Sequence, residues 1–392
     1  MTKKTKKRTK QDKPTPEEVA NLINSELGYD AVSTADSTLD MKIVRRPTGL
    51  AGLDIALGGG FPAGTIHVIA GVEAVGKDAL INMLLRMNQR IYGEDACVFI
   101  GNTESGHDKI WARKMGVKIA MSDKEISDYE AAHGEKFGKE TVDKLKEQIG
   151  AVYISNEHSA RNMYGTILKL AAMDVCQMFF INSVDSLLSA ASAEDPTNAE
   201  RSNTEGMTSA ADLTSFVNKF LMVAGRKSNG TYPTLFLVQQ GRANIDGFGW
   251  GARKYKTDTG AYALKHLKII DLLLKNKGQI LGSKKTKIGK TIEWTTQKAK
   301  FGTHDGVRGE YALFFESGPD RVGCLIDTMA ATGNTKVGSP GVIHLMRDGE
   351  TVISGNRDQL KEKLTYDDNL FYELYSWLVR KECKNPFLLR ER

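Results

Sequence analysis

The segment Gly71 to Leu80, GVEAVGKDAL, constrains the chain more than any other stretch. It reads Gly-x-x-x-x-Gly-Lys and stands between a short apolar run, TIHVIA (Thr65 to Ala70), and an amphipathic run, Asp78 to Tyr92. A glycine turn between a buried strand and a helix N-terminus aims backbone amides at a phosphate group. Lys77 is placed to neutralise the terminal phosphates, and Gly71, Glu73, Ala74, Val75, Gly76, Lys77, Asp78 and Ala79 are the candidate phosphate-loop contacts. The eighth position of such a loop carries a hydroxyl that ligates magnesium; here it is Asp78.

Further apolar runs follow: ACVFI (Ala96 to Ile100), AVYIS (Ala151 to Ser155), MFFIN (Met178 to Asn182) and TLFLVQQ (Thr234 to Gln240), with helical patterns between them. Continuously apolar strands alternating with helices predict an α/β fold with a mostly parallel central sheet covered on both faces. A buried strand preceding a second metal-orienting site should end in Asp, but MFFIN ends in Asn182. Both departures fall on one ion. Either the carboxylate has moved from one side of the metal to the other, or the metal site and hydrolysis are lost. The sequence leaves both readings open, and Asp78 and Asn182 are the candidate metal residues.

Composition is ordinary for a globular chain: 392 residues, 41% hydrophobic and 26% charged. No run of about 18 apolar residues predicts a membrane span. Cys97, Cys176, Cys324 and Cys383 have no Cys-x-x-Cys spacing, which favours reduced buried thiols in a cytoplasmic protein. The first 13 residues hold seven basic side chains and one acid, a balance equal to the whole net charge of +6. Such a tail fits a solubilising role or salt-sensitive attraction to nucleic acid. Residues 15–46 read as an N-terminal helix and arm. Thr15 and Glu18 make a capping box with Pro16 at the first helical position, and Val19, Leu22, Ile23 and Leu27 form an apolar face that needs a partner surface. Residues 47–325 read as the core, with a charged helical insertion at about 120–150, and 326–392 as a small C-terminal α+β domain.

Several blocks, in order, carry a resemblance. TGLAGLDIALGGGFPAGTIHVIAGVEAVGKDAL (Thr48 to Leu80), TESGHDKIWARKMGV (Thr103 to Val117), INSVDSLLS (Ile181 to Ser189), FLVQQGR (Phe236 to Arg242), TDTGAYALKH (Thr257 to His266) and QKAKF (Gln297 to Phe301) resemble the RecA family of ATP-dependent strand-exchange proteins. The phage branch, with its UvsX-like recombinases, suits so divergent a copy. The resemblance implies a RecA-like P-loop ATPase core with ATP and Mg2+ as cofactors. It implies Glu104 as the base that activates water, Asp108 and Trp111 beside adenine, and Gln240 as the link from terminal phosphate to the DNA loops. Lys298 and Lys300 would act across a filament interface on the neighbour's nucleotide. Implied partners are single-stranded and duplex DNA, further copies of the chain in a helical filament, and a single-strand-binding protein or loader, with no membrane. The implied location is the bacterial or phage-infected cytoplasm, at the nucleoid.

The first DNA loop corresponds to Asp195 to Thr208, with Arg201 and Met207, and the second to Asn244 to Thr259. In the second, Phe248, Trp250 and Tyr255 interleave with Arg253, Lys254 and Lys256, so rings can stack on bases while cations meet phosphates. Lys284, Lys285, Lys287 and Lys290 read as a solvated basic hairpin within reach of duplex DNA. Besides Asp78 and Asn182, His266 and the extra residue within Gly101 to Thr103 depart from the family pattern. The expected function is an ATP-binding recombinase that polymerises on single-stranded DNA and promotes pairing and strand exchange. The alternative is a hydrolysis-impaired RecA-like DNA-binding or scaffold protein. A hexameric helicase-like or clock-type ATPase is disfavoured by the lysine pair and the long aromatic loop.

Overall fold

The apolar runs become neighbouring strands of one sheet in the computed structural model, which describes residues 14–27, 32, 44–104, 108–134, 136–189, 192–193, 205–225, 231–243, 255–256, 262–283, 285–301 and 303–383. The chain divides into two units, Met1–Ile43 and Val44–Arg392. In the first, the helix Pro16–Leu27 starts at the expected capping box: Thr15 N donates to Glu18 Oε2 at 2.8 Å and Glu18 N to Thr15 Oγ1 at 3.2 Å. Its Val19 and Leu22 are exposed.

The second unit holds a nine-stranded sheet. In chain order its strands are β3 (Ile66–Gly71), β4 (Cys97–Asn102), β5 (Ala151–Ser155), β6 (Met178–Asn182), β7 (Thr234–Gln240), β10 (Lys268–Leu281), β11 (Lys287–Lys298), β12 (Arg308–Phe314) and β13 (Gly318–Pro319). Two short pairs complete the numbering before the C-terminal region: β1 (Arg45–Arg46) with β2 (Phe61–Pro62), and β8 (Arg242–Ala243) with β9 (Tyr255–Lys256). The spatial order is β13-β12-β11-β10-β3-β7-β6-β4-β5. The six strands from β10 to β5 are parallel; β10 to β13 are antiparallel. The mostly parallel sheet is thus as expected. Its sixth parallel member, β10, escaped the sequence reading because LKIIDLLL runs straight on into a charged hairpin.

Strand side chains alternate faces, and the alternation builds two cores. Met178 and Phe180 join the layer under the helix Lys77–Tyr92, with Ile69, Phe236 and Leu272. Phe179 and Ile181 join the opposite layer, with Val68, Leu235 and residues of the helices Ala160–Ala172 and Glu205–Gly225. A third core gathers the helices Ala51–Ala56, Arg321–Ala331, Arg357–Tyr366 and Asp368–Cys383, beside an antiparallel sheet of β14 (Thr335–Val337), β15 (Ile343–Arg347) and β16 (Glu350–Gly355). Asp54 fastens this region to the turn ahead of the phosphate loop. It accepts from Thr48 N and Oγ1 at 2.8 and 2.9 Å, from Gly49 N at 2.8 Å and from Tyr375 OH at 2.6 Å. Burial raises its carboxyl to about 6 in spite of those four donors.

Candidate functional site

Four adjacent parallel strands, β3, β7, β6 and β4, bring their C-terminal ends to one crevice, where open α/β sheets bind ligands. The register sets Gly71 opposite Gln240, Val238 opposite Asn182, and Asn182 opposite Asn102. Gly241 N donates to Gly71 O at 2.9 Å, and Thr103 N to Asn182 O at 2.9 Å. Four segments far apart in sequence are thereby fixed at bonding distance.

The turn after β3 is shaped by glycine. Gly76 has φ +105° and caps the following helix; a Cβ there would lie 2.7 Å from Leu313 Cδ2. A Cβ on Gly71 would lie 2.7 Å from Val75 Cγ1 and 2.9 Å from Leu274 O. Lys77 opens the helix, and its Nζ donates back to Gly71 O at 2.9 Å and Val72 O at 3.0 Å. Burial lowers the Lys77 pKa, while Glu104, Asp78, Asp185 and Glu73 pull it back up. Four acids around one ammonium suit a phosphate ligand that carries its own divalent cation better than a bare polyanion.

The structure brings together Lys77, Asp78, Glu104, Asn182 and Gln240. Asn182 Nδ2 donates to Asp78 Oδ1 at 2.6 Å. Gln240 Nε2 donates to Glu104 Oε1 at 3.0 Å, and Gln240 N to Asp185 Oδ2 at 2.8 Å. Asp185 is a participant that sequence reading missed; its signal was an acid three residues beyond a buried strand end. Among the described residues no cluster of three or more His, Cys, Asp or Glu forms a metal cage. The donor set fits Mg2+ all the same, because that ion binds through one or two protein oxygens together with substrate phosphates and water. Asp78 and Asn182 supply such oxygens.

Flanking the loop, Asp108 Oδ1 caps the helix Lys109–Lys114, accepting from Ile110 N at 2.8 Å and Trp111 N at 3.1 Å. Trp111 is half-buried, and its Nε1 donates to Phe315 O at 3.1 Å. Lys290 also belongs here. Its Nζ donates to Ala74 O and lies 5.9 Å from the Phe315 ring centre, and burial lowers its pKa. Lys285 lies in the turn between β10 and β11 and Lys287 and Lys290 on β11, while Lys284 lies outside the described residues; Lys290 reaches the phosphate loop. It sits on β11, and β11 crosses beside that loop.

Lys298 and Lys300 are not brought to the loop of their own chain. Asp271 pairs with both Val68 and Lys298, so Lys298 lies level with the early part of β3 rather than with Gly71. Its Nζ donates to Lys265 O at 2.7 Å and His266 O at 3.2 Å. Lys300 is exposed. Lys256 lies on β9, paired with Arg242 of β8, and Met207 lies on the helix Glu205–Gly225. Arg201, Phe248, Trp250, Arg253 and Lys254 lie outside the described residues. No helix among the described residues is long and apolar enough to cross a membrane.

Residues 17–129 match the RecA N-terminal domain. Along most of its length the chain is similar to Protein RecA of Picosynechococcus sp., at 24% identity over 315 residues, 80% of this chain and 78% of that one. It is similar to the DNA repair protein recA homolog 1, chloroplastic, of Arabidopsis thaliana, at 24% over 79% of this chain and 61% of that one. A shorter match, 38% identical over 98 residues, covers 25% of this chain and 26% of Protein RecA of Haemophilus ducreyi.

Proposed function

We propose, from the premise that the chain belongs to the RecA family, that it is a DNA recombination and repair protein. In this reading it binds ATP with Mg2+ and single-stranded DNA, assembles into a filament, and promotes homologous pairing and strand exchange. The observation that carries the reading is the meeting of the phosphate loop, the Glu104–Gln240 pair and the Asp78–Asn182 pair at neighbouring strand ends. Mg2+ would supply charge neutralisation at the phosphates, and Asp78 with Asn182 would hold it. Lys77 would exchange its two loop carbonyls for phosphate oxygens. Glu104 would orient the attacking water and take its proton, held by Gln240 until the nucleotide arrives.

Gln240 closes β7, and β8 begins two residues later. A shift of Gln240 toward phosphate would pull on the β8–β9 ribbon, which carries Lys256 and leads into the aromatic segment with Phe248, Trp250, Arg253 and Lys254. That segment, with Arg201 and Met207, would contact DNA. Asp108 and Trp111 would line the base, and Lys298 and Lys300 would serve a neighbour's nucleotide, since they stand away from their own loop. The unit 15–46, the core 47–325 and the region 326–392 would be the domains of this machine.

One observation favours a second reading, a hydrolysis-impaired DNA-binding scaffold. The amide of Asn182 takes up one oxygen of Asp78, the side chain on which the metal would depend. Magnesium-dependent ATP turnover, with and without single-stranded DNA, separates the two when run beside the Asp78→Thr/Asn182→Asp double variant. DNA-stimulated turnover in the unmodified protein supports the recombinase. Turnover only in the double variant supports the scaffold, and failure of the unmodified protein to bind single-stranded DNA overturns both readings.

A further inference from the structure

Cys97 opens β4, and Cys176 lies two residues ahead of β6, the strand paired with β4 through Val98 and Met178. Their sulfurs face each other at 2.9 Å inside the apolar layer. Gln177 fixes the approach. Its N donates to Cys97 O at 2.9 Å, its Oε1 accepts from Cys97 N at 2.6 Å, and its Nε2 donates to Asp95 O at 2.9 Å. The backbones that carry the two thiols are therefore tied to each other on adjacent strands. Cys176 is fully buried, and Cys97 retains 7% exposure. Burial raises Cys324 and Cys383 each to about 11.

We propose that Cys97 and Cys176 are an oxidation site, at which a two-electron oxidant of the peroxide class closes an intramolecular disulfide. Cys97 reacts first, because of the two buried sulfurs it belongs to the residue that keeps some contact with solvent, and a hydrogen bond between the two sulfurs can hold one of them as thiolate. Its sulfur attacks a peroxide oxygen, the O–O bond breaks, and Cys97 becomes a sulfenic acid with release of one water. The Cys176 sulfur then attacks the Cys97 sulfur. The S–S bond forms, the S–O bond breaks, and hydroxide leaves with the Cys176 proton as the second water. Two thiols and one hydrogen peroxide become one disulfide and two waters.

The bond joins ends of strands that are already paired through Val98 and Met178, and the sulfurs close from 2.9 Å to about 2.05 Å. In the unfolded chain it closes the long span from 97 to 176, which removes conformational freedom there and stabilises the folded state. The test uses the full chain and hydrogen peroxide, followed by alkylation in denaturant and digestion without reductant. Free thiols should fall from four to two. A linked peptide pair containing Cys97 and Cys176, lighter by two hydrogens, should appear. The melting temperature should rise by several degrees and return on addition of dithiothreitol. In Cys176→Ala, dimedone should trap a sulfenic acid on Cys97 that the unmodified protein does not accumulate. Persistence of four thiols, loss confined to Cys324 or Cys383, or sulfinic acid on Cys97 without the linked peptide would each overturn the proposal. Peptide mapping of the unmodified protein decides the matter even if the variant does not fold.

Discussion

Asn182 Nδ2 donates to Asp78 Oδ1 at 2.6 Å, so the two residues that break the phosphate-loop pattern are bonded to each other. The amide satisfies one oxygen of a carboxylate that acts on Lys77 together with Glu104, Asp185 and Glu73. Asn182→Asp turns this bond into a close pair of acids, one of which must take a proton or separate. The variant should lose about 1–3 kcal/mol of stability at neutral pH, and millimolar Mg2+ should restore part of that loss. Thermal melts of both proteins, with and without the ion, check this; an unchanged melt in metal-free buffer would contradict it.

Four acids, Glu104, Asp78, Asp185 and Glu73, act on the Lys77 ammonium. Lys77→Met should weaken ATP binding by about 1.5–3 kcal/mol, roughly ten- to a hundredfold, as expected for lost charge-assisted bonds to phosphate. Its circular dichroism should stay unchanged. Titration calorimetry with the Mg2+ complex of ATP reads the affinity directly.

Gly76 combines φ +105° with a missing Cβ that would sit 2.7 Å from Leu313. Gly76→Ala is therefore strained twice, by backbone and by contact. It should cost about 1–3 kcal/mol and impair nucleotide binding beyond that loss, since the loop must shift. Leu313→Ala in the same chain should recover the contact part but not the backbone part, which denaturant titration of the three variants can separate.

Two buried groups give opposing pH dependences. Asp54 has its pKa raised to about 6, so its contribution is present below about pH 4 and is lost as pH rises through 6. His67 is pushed down to about 3 by burial, and its Nε2 lies 2.8 Å from Pro62 O. Its contribution is present above about 6.5 and is lost as pH falls toward 3. His67→Gln should therefore flatten or invert the loss of stability between pH 6.5 and 4. Tyr375→Phe should cost about 1–3 kcal/mol above pH 6, where the Asp54 carboxylate needs its donor, and less below pH 4. Urea unfolding across this range measures both.

Much of the site was legible because strand ends carry it. MFFIN and TLFLVQQ are apolar on both faces, which marks buried parallel strands, and the polar residue that ends each one faces the crevice. Other features depend on what lies beside a strand, which periodicity does not encode. Lys290 reads as one lysine of a solvated run until β11 is seen crossing beside Ala74, 216 positions away. Likewise, Asp78 and Asn182 are each conspicuous in sequence, but their bond joins the first turn of a helix to the end of β6, 104 positions away. Asp54 looked like part of a motif, and its partner Tyr375 lies 321 residues on, in a helix whose own pattern signals only an apolar face.

β3, which carries the phosphate loop, pairs only with β7 and β10, both more than 160 residues downstream. A chain emerging from the ribosome has synthesised the loop long before it owns either neighbour. Sequence-distant pairing of this kind is slow to form, and an unpaired apolar strand is prone to aggregate while it waits. The nucleotide site is thus among the last parts of the molecule to exist. A chain truncated before residue 268 lacks one flank of that site, and its failure to bind would say nothing about the chemistry of Lys77 or Asp78.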